Sequence, residues 1–199
     1  MPVTQIQAQM DKKTIRHLPI VDDAGKLVGL VTQRSLLSAL RTDESDLSRF
    51  EVSYILRKIQ AHHIMVTDVV TIDEDVPIEE AARIMADLRI GCLPVMRENE
   101  LAGIITDNDL FSAMLNLLGA RRSGIRVAVL QPDRTGEVAR LTNAIAKEGG
   151  YLSVCVGYYP EETEESWVSL LKVSNLSKDE LVALIEGLGD TQVQDVREV

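Results

Sequence analysis

Aromatic residues make up only 4% of this 199-residue chain, so any core must be assembled from aliphatic side chains. Cysteine is almost absent. Cys92 and Cys155 are too few and too far apart for a disulfide framework or a thiolate metal site. Both sit in apolar runs and read as buried, reduced thiols of a cytoplasmic protein. No apolar run approaches the roughly 20 residues of a membrane span, and the N-terminus lacks the charged-then-apolar pattern of a secretory signal. Positive charge is in deficit: 21 Lys and Arg against 31 Asp and Glu give a net charge of −10. That balance excludes the basic footprint of nucleic-acid binding and disfavours anionic membrane surfaces. A nucleophile beside a base, a cluster of metal ligands and a glycine-rich phosphate loop are also missing. The expectation is a protein that is not an enzyme. His62 and His63 are adjacent, so on a helix they point apart and read as surface residues rather than a metal pair.

What the chain does have is 45% hydrophobic residues, enough for real cores, and a repeat. TIRHLPIVDDAGKLVGLVT, beginning at Thr14, aligns with RIGCLPVMRENELAGIIT, beginning at Arg89. Ile15 matches Ile90 and Pro19 matches Pro94 at one spacing. After the turn the spacing shortens by one residue, and Gly29 meets Gly103 and Thr32 meets Thr106. Two copies of one folding unit are implied. Two copies alone pack face to face rather than as a solenoid, and a cleft lined by both is a natural ligand site.

Each copy reads helix, strand, turn, strand, helix. In the second, Ile78, Ala81, Ala82, Met85 and Leu88 form one helical stripe after Pro77. LPVM and LAGII are strands about the turn RENE, and TDNDLFSAMLNLLG is a helix that stops at Gly119. The first copy repeats this order in VTQIQAQM, LPIV, LVGLV and QRSLLSAL. The second copy is preceded by the extended, β-branched MVTDVVTIDED, which has no counterpart before the first. The first sheet is therefore expected to show a bare edge or to recruit a substitute, with the first repeat the less stable half and its ligand site poorly formed. A misread start, a truncation or reliance on a partner chain would each account for the missing segment. Residues 41–48 read as a polar linker, and FEVSYILRKIQAHHIM as a helix bridging the copies.

The sharpest local motif is GIITDND, Gly103 to Asp109. A strand ends at Thr106 and a helix begins after it, where free N–H groups attract a phosphate. Asp109 can accept hydrogen bonds from the two hydroxyls of a ribose; a simple helix cap by Thr106 and Asp109 is the competing reading. The Leu18–Pro19 and Leu93–Pro94 steps, together with this motif, resemble those of cystathionine-β-synthase (CBS) domains, and the pair resembles a Bateman module. The resemblance implies a fold of tandem βαββα units and an adenosine-containing ligand: AMP, ADP, ATP or S-adenosylmethionine. It implies no required cofactor. By the resemblance, Thr106 and Asp109 hold phosphate and ribose, while Val70, Thr71, Ile90, Gly91, Cys92 and Pro94 line the base. A second candidate site is Arg16, His17, Thr32 and Ser35, where Ser35 replaces the expected carboxylate.

From Ile125 the grammar changes to βαββαβ, the ferredoxin-like order of an α+β domain. QPDRTGEVARLTNAIAKEGGYL is similar to the start of an ACT domain, which implies amino-acid sensing or oligomerisation. Asp133 and Gly136 are the candidate amino-acid contacts. The expected domains are 1–48, the first CBS repeat with its linker; 49–119, the second with the bridging helix; and 125–199, the ACT domain. This order, with IGCLPV and FEVSYILRKI, resembles acetoin-utilisation AcuB-type proteins. The reading that follows is a cytoplasmic regulatory ligand sensor, a homo-oligomer built as a dimer or a dimer of dimers. The alternative is a non-catalytic oligomeric scaffold that regulates a partner enzyme without binding nucleotide.

Overall fold

The computed structural model describes residues 1–40, 58–161 and 165–199. The expected linker 41–48 and residues 50–57 of the expected bridging helix lie outside the described residues. The chain divides into two compact units, Met1–Leu110 and Phe111–Val199.

The first unit holds both repeats as far as Leu110, in the first turn of the second copy's last helix. Helix α1 (Val3–Lys13) buries Val3, Ile6 and Met10 on one face, the spacing of a helix with a single apolar stripe. It ends at Thr14, whose φ of 53° is left-handed. Strands β1 (His17–Val21) and β2 (Leu27–Thr32) pair antiparallel. Their turn is closed by the Asp22 carboxylate, which accepts from the N–H groups of Ala24 and Lys26 at 3.0 and 2.9 Å. Helix α2 (Gln33–Leu40) follows directly. The second copy repeats the plan with β3 (Ile72–Asp73), α4 (Ile78–Leu88), β4 (Cys92–Arg97), β5 (Glu100–Thr106) and α5 (Asp107–Leu117). Between the copies lies the single-turn α3 (Ala61–Ile64). Each copy has its own core: Val3, Ile6, Met10, Val31 and Leu36 in the first, and Ile72, Ala81, Met85 and Leu93 in the second.

Several expectations are corrected. The extended segment before the second copy is a strand only at Ile72–Asp73, paired parallel to β4. Earlier in that segment, Val66 pairs with β2 of the first copy. Leu30 and Val66 exchange N–H···O bonds of 2.9 Å in both directions. An unpaired edge carries donors and acceptors that need partners, and Val66 supplies some of them to β2. A Cβ on Gly29 would meet the Val66 carbonyl oxygen at 2.9 Å, a backbone atom that cannot swing aside, so this crossing favours glycine. Ile59, Ala61, Ile64 and Met65 likewise pack on the first core, so the end of the expected bridging helix serves the first copy. On α4 the inward residues are Ala81, Ile84 and Met85, while Ile78 and Leu88 are 41% and 52% exposed. The stripe is narrower than the sequence suggested because a three-stranded sheet covers only the middle of an eleven-residue helix.

The second unit is α+β. Strands β6 (Ile125–Pro132), β7 (Tyr151–Tyr158), β8 (Ser166–Ser174) and β9 (Gln192–Glu198) form one antiparallel sheet in the order β7-β8-β6-β9. Helices α6 (Glu137–Lys147) and α7 (Lys178–Glu186) cover one face. Leu141, Ile145, Leu181 and Ile185 pack there on Val127, Val129, Leu171 and Val173. This is the expected ferredoxin-like βαββαβ arrangement. α7 begins with a capping box of Ser177 and Glu180. Lys172 is buried on β8, and its ammonium donates to the carbonyls of Gly119 and Arg122 just beyond α5. Cys155, expected to be buried, is exposed, because β7 is an edge strand. Cys92 is buried as expected.

Candidate ligand clefts

The strand register places equivalent pairs at equivalent points of the two copies. His17 lies opposite Thr32 across β1 and β2, and Cys92 lies opposite Thr106 across β4 and β5. The helix that follows each second strand is tied down the same way. Gln33 N–H donates to the Arg16 carbonyl at 2.8 Å, and Asp107 N–H donates to the Gly91 carbonyl at 3.1 Å. Thr14 and Arg89, the left-handed ends of α1 and α4 at φ 53° and 54°, turn the chain so that the next three residues run along a cleft.

Two clefts result, and each mixes the copies. The larger has a volume of about 300 Å³. The first copy contributes His17, Thr32 and Arg34, and the second contributes Arg89 with Ile90, Gly91 and Cys92. Val66, Val69 and Val70 form an apolar wall, with Asp68 beside them. The smaller, of about 120 Å³, sets Thr106, Asp107 and Asn108 of the second copy against Ile15, Arg16 and His17 of the first.

The residues expected to share one nucleotide site are therefore distributed. Val70, Ile90, Gly91 and Cys92 line the larger cleft, in company with Thr32 rather than Thr106. Thr106 borders the smaller cleft, together with Arg16. Thr71 borders a third cavity, beside Gly29 and Met96. Pro94 is buried in β4 opposite Ile104. Asp109 caps its helix: one carboxylate oxygen accepts from both the N–H and the hydroxyl of Thr106, at 2.8 and 2.7 Å. Ser35 makes the neutral equivalent in the first copy. Its hydroxyl accepts from Thr32 N–H and donates to the Thr32 carbonyl, both at 3.0 Å. Arg34, Arg89 and Asp68 were missed in the sequence. Arg34 stands inside the GLVTQRS motif, between the two residues that were singled out, and was legible there. Arg89 and Asp68 carry no motif.

The electrostatics follow the packing. Burial pushes the His17 pKa below its ordinary value, with Asp107 opposing the shift and Arg16 reinforcing it. Burial, helped by the Asp107 carboxylate, pushes the Cys92 thiol up to about 11, so it stays protonated at neutral pH. Arg16 and Asp107 form a half-exposed ion pair at 3.7 Å.

In the second unit, Asp133 lines a cavity of about 250 Å³ with Gln131, Arg134, Tyr159 and Trp167. Its carboxylate accepts from the Tyr159 hydroxyl at 3.0 Å. Gly136 caps α6 at φ 91°, and a Cβ there would meet nothing within 4 Å. Its glycine thus answers a backbone need rather than a close approach within the chain. Among the described residues, no three or more His, Cys, Asp or Glu come together as a metal group, and no helix is long and apolar enough to cross a membrane.

Comparison with known proteins covers the repeats. A CBS domain model matches residues 1–42 and 61–116, ending short of the βαββαβ sheet. A CBS domain-containing protein of Dictyostelium discoideum is 34% identical over 115 residues, 55% of this chain and 76% of that protein. The L-aspartate semialdehyde sulfurtransferase of Methanocaldococcus jannaschii is 32% identical over 100 residues. That match spans 50% of this chain and only 17% of the enzyme. Among solved structures, a Vibrio cholerae protein named for acetoin utilization (AcuB) is 36% identical with a TM-score of 0.50, covering 60% of this chain and 82% of that one. The CBS domain pair of protein MJ0100, solved with 5′-methylthioadenosine and S-adenosyl-L-methionine, is 28% identical with a TM-score of 0.49, over 61% of this chain and 85% of that one. The duplicated unit that the register reveals is the unit the family model matches twice, and this chain belongs to the CBS domain family.

Proposed function

We propose that the chain is a non-catalytic regulatory sensor that holds an adenosine-containing ligand in the larger cleft. The observation that carries this reading is the cleft itself. Its lining combines three valines and Ile90 with Arg34 and Arg89, and one carboxylate, Asp68, which suits a ligand with an apolar ring system and an anionic tail. Thr32 and Arg34 would meet the phosphate, and Val70, Ile90, Gly91 and Cys92 the base. Thr106 and Asp109 would serve the smaller cleft. The second unit would act as an ACT-type domain that joins subunits of a cytoplasmic homo-oligomer or senses an amino acid through Asp133 and Gly136. A thermal-shift and calorimetry series with AMP, ADP, ATP, S-adenosylmethionine and the common amino acids tests it. A ligand at a hundred times its Kd adds about 2.7 kcal/mol to the folded state. No shift with any adenine compound would reject the sensor.

One observation favours the scaffold reading. Helix α5 has no buried residue, and Phe111, Met114 and Leu117 are 58%, 46% and 66% exposed. Such a face suits docking on a second copy or on a partner enzyme. A chain that is oligomeric yet indifferent to every adenine compound would support it.

A further inference from the structure

His17 is the residue that lines both clefts of the first unit. It stands opposite Thr32 in the strand ladder, so it flanks the first copy's phosphate motif. Arg34 at the start of α2 and Arg89 at the end of α4 border the same cavity. Three side chains able to carry positive charge thus come from three separate elements onto one apolar-walled space. One carboxylate, Asp68, accompanies them. The equivalent position in the second copy holds Cys92, whose thiol does not ionise near neutral pH. Only the first copy therefore places a group there that can change its charge in the physiological range.

We propose that His17 makes ligand binding in the larger cleft selective for anions and linked to the uptake of a proton. This rests on the reading that the larger cleft takes an adenosine-containing ligand, and it deepens that reading by naming the charge of the ligand. In the unliganded chain the charges of Asp107 and Arg16 act on His17, which shares the larger cleft with Arg34, Arg89 and Asp68. Its burial favours the neutral imidazole. A phosphate monoester beside Thr32 and Arg34 adds negative charge within the same cavity and stabilises the imidazolium as a charge-assisted donor. Free chain and bound chain then hold different numbers of protons, so affinity depends on pH. The pKa is lowered in the free state and raised in the bound state. Affinity for the anion therefore rises as pH falls through the bound-state value, and the gain levels off below the free-state value. A neutral nucleoside gains nothing from this, and a cationic sulfonium ligand is disfavoured by the two arginines as well.

The test is isothermal calorimetry on the full chain with AMP and with adenosine, at pH 6 and pH 8, in two buffers of different ionisation enthalpy. His17→Gln is measured alongside; it keeps a polar side chain but cannot titrate. For the wild type we expect net proton uptake with AMP, less with adenosine, and an AMP preference about tenfold larger at pH 6 than at pH 8. In His17→Gln the extra proton uptake and most of that pH-dependent preference should vanish. Ionisation of the AMP phosphate is common to both proteins, so the difference between them isolates the imidazole. Unchanged proton uptake in His17→Gln would overturn the role of His17 while leaving the cleft assignment intact. Absence of binding by either compound to the wild type would overturn the cleft assignment and this inference together. Circular dichroism of the variant separates misfolding from loss of the titrating group. If His17→Gln is unfolded, the imidazole pKa of the wild type, followed by NMR with and without AMP, decides the matter: a rise supports the proposal, and no change rejects it.

Discussion

The two repeats share a fold and differ in chemistry at the positions that face the clefts. Scaffold positions are kept: Thr32 and Thr106, Pro19 and Pro94, and the left-handed helix ends at Thr14 and Arg89. At the clefts, His17 stands against Cys92, Arg16 against Gly91, Arg34 against Asn108 and Ser35 against Asp109. Because each cleft combines the second-strand end and helix start of one copy with the residues after the left-handed turn of the other, these differences do not fall on one cleft alone. They give a roomy cleft with Arg34 and Arg89, and a small cleft lined by Arg16 and Asp107, with the capping carboxylate of Asp109 held on Thr106. Duplication thus supplied two clefts whose halves are exchanged, and divergence of either copy alters both.

The largest effects should come from the cores. Leu93 and Ile6 are fully buried in the second and first cores. Leu93→Ala and Ile6→Ala should each cost about 2–5 kcal/mol. If the copies form one cooperative unit, either substitution lowers the same denaturation midpoint. Two separated transitions in urea, only one of them moved by each variant, would show that the copies unfold independently.

Next come substitutions that separate the clefts. Arg34→Ala should weaken AMP about tenfold, the scale of one charge-assisted contact. Asp109→Ala should leave AMP affinity within about twofold but cost roughly 0.5–2 kcal/mol of stability, because its carboxylate caps α5 through two bonds to Thr106. If Asp109→Ala loses AMP binding while Arg34→Ala keeps it, the ligand occupies the smaller cleft, and the crosswise assignment fails.

A smaller difference concerns acid. In the second copy Arg97 holds Glu74 with two bonds of 2.7 Å. Its guanidinium keeps the Glu74 carboxyl below the ordinary range. A depressed carboxylate pKa contributes stability that is present above the unfolded-state value and lost as pH falls through the folded-state value. Glu74→Gln should therefore remove this contribution at pH 7 and flatten the acid limb, the variant and the wild type converging as pH falls below about 4.5. The pair is exposed, so the effect should be modest and should shrink in high salt. An unchanged acid limb would mean that the pair contributes nothing.

Much of this was legible in the sequence. Pro19 and Pro94, Gly29 and Gly103, and Thr32 and Thr106 fixed the duplication, and the turn and cap residues fixed the βαββαβ order of the second unit. What could not be read was which halves meet. Sequence spacing places Thr106 near Ile90 and Cys92 within one repeat, but the cleft is closed by the other repeat, and that choice is made by packing across the pair. The destination of Val66 was hidden for the same reason: a β-branched segment pairs with whichever edge is open. Cys155 was misread because an apolar run in an edge strand looks the same as one in a central strand. Arg89 was missed because nothing local marks a cation at a left-handed helix end as part of a cavity.

The smallest effect tests whether the paired left-handed residues are a shared liability. Thr14 and Arg89 each end a helix at positive φ without being glycine, although glycine is the usual residue at that position. A non-glycine side chain there costs roughly 1–2 kcal/mol relative to right-handed backbone. Glycine relieves that strain but loses unfolded-chain order, so the net gain should be at most about 1 kcal/mol. Thr14→Gly should accordingly raise the melting temperature slightly, with no effect on AMP affinity, since Thr14 borders the smaller cleft. Arg89→Gly should give a similar gain in stability but weaken AMP severalfold, because it removes a cation from the larger cleft. Equal stability changes with unequal ligand effects would show that the turn belongs to the duplicated scaffold while the side chain belongs to one cleft. A drop in stability at both positions would mean that the Thr14 and Arg89 side chains contribute more by packing than their backbones lose by strain.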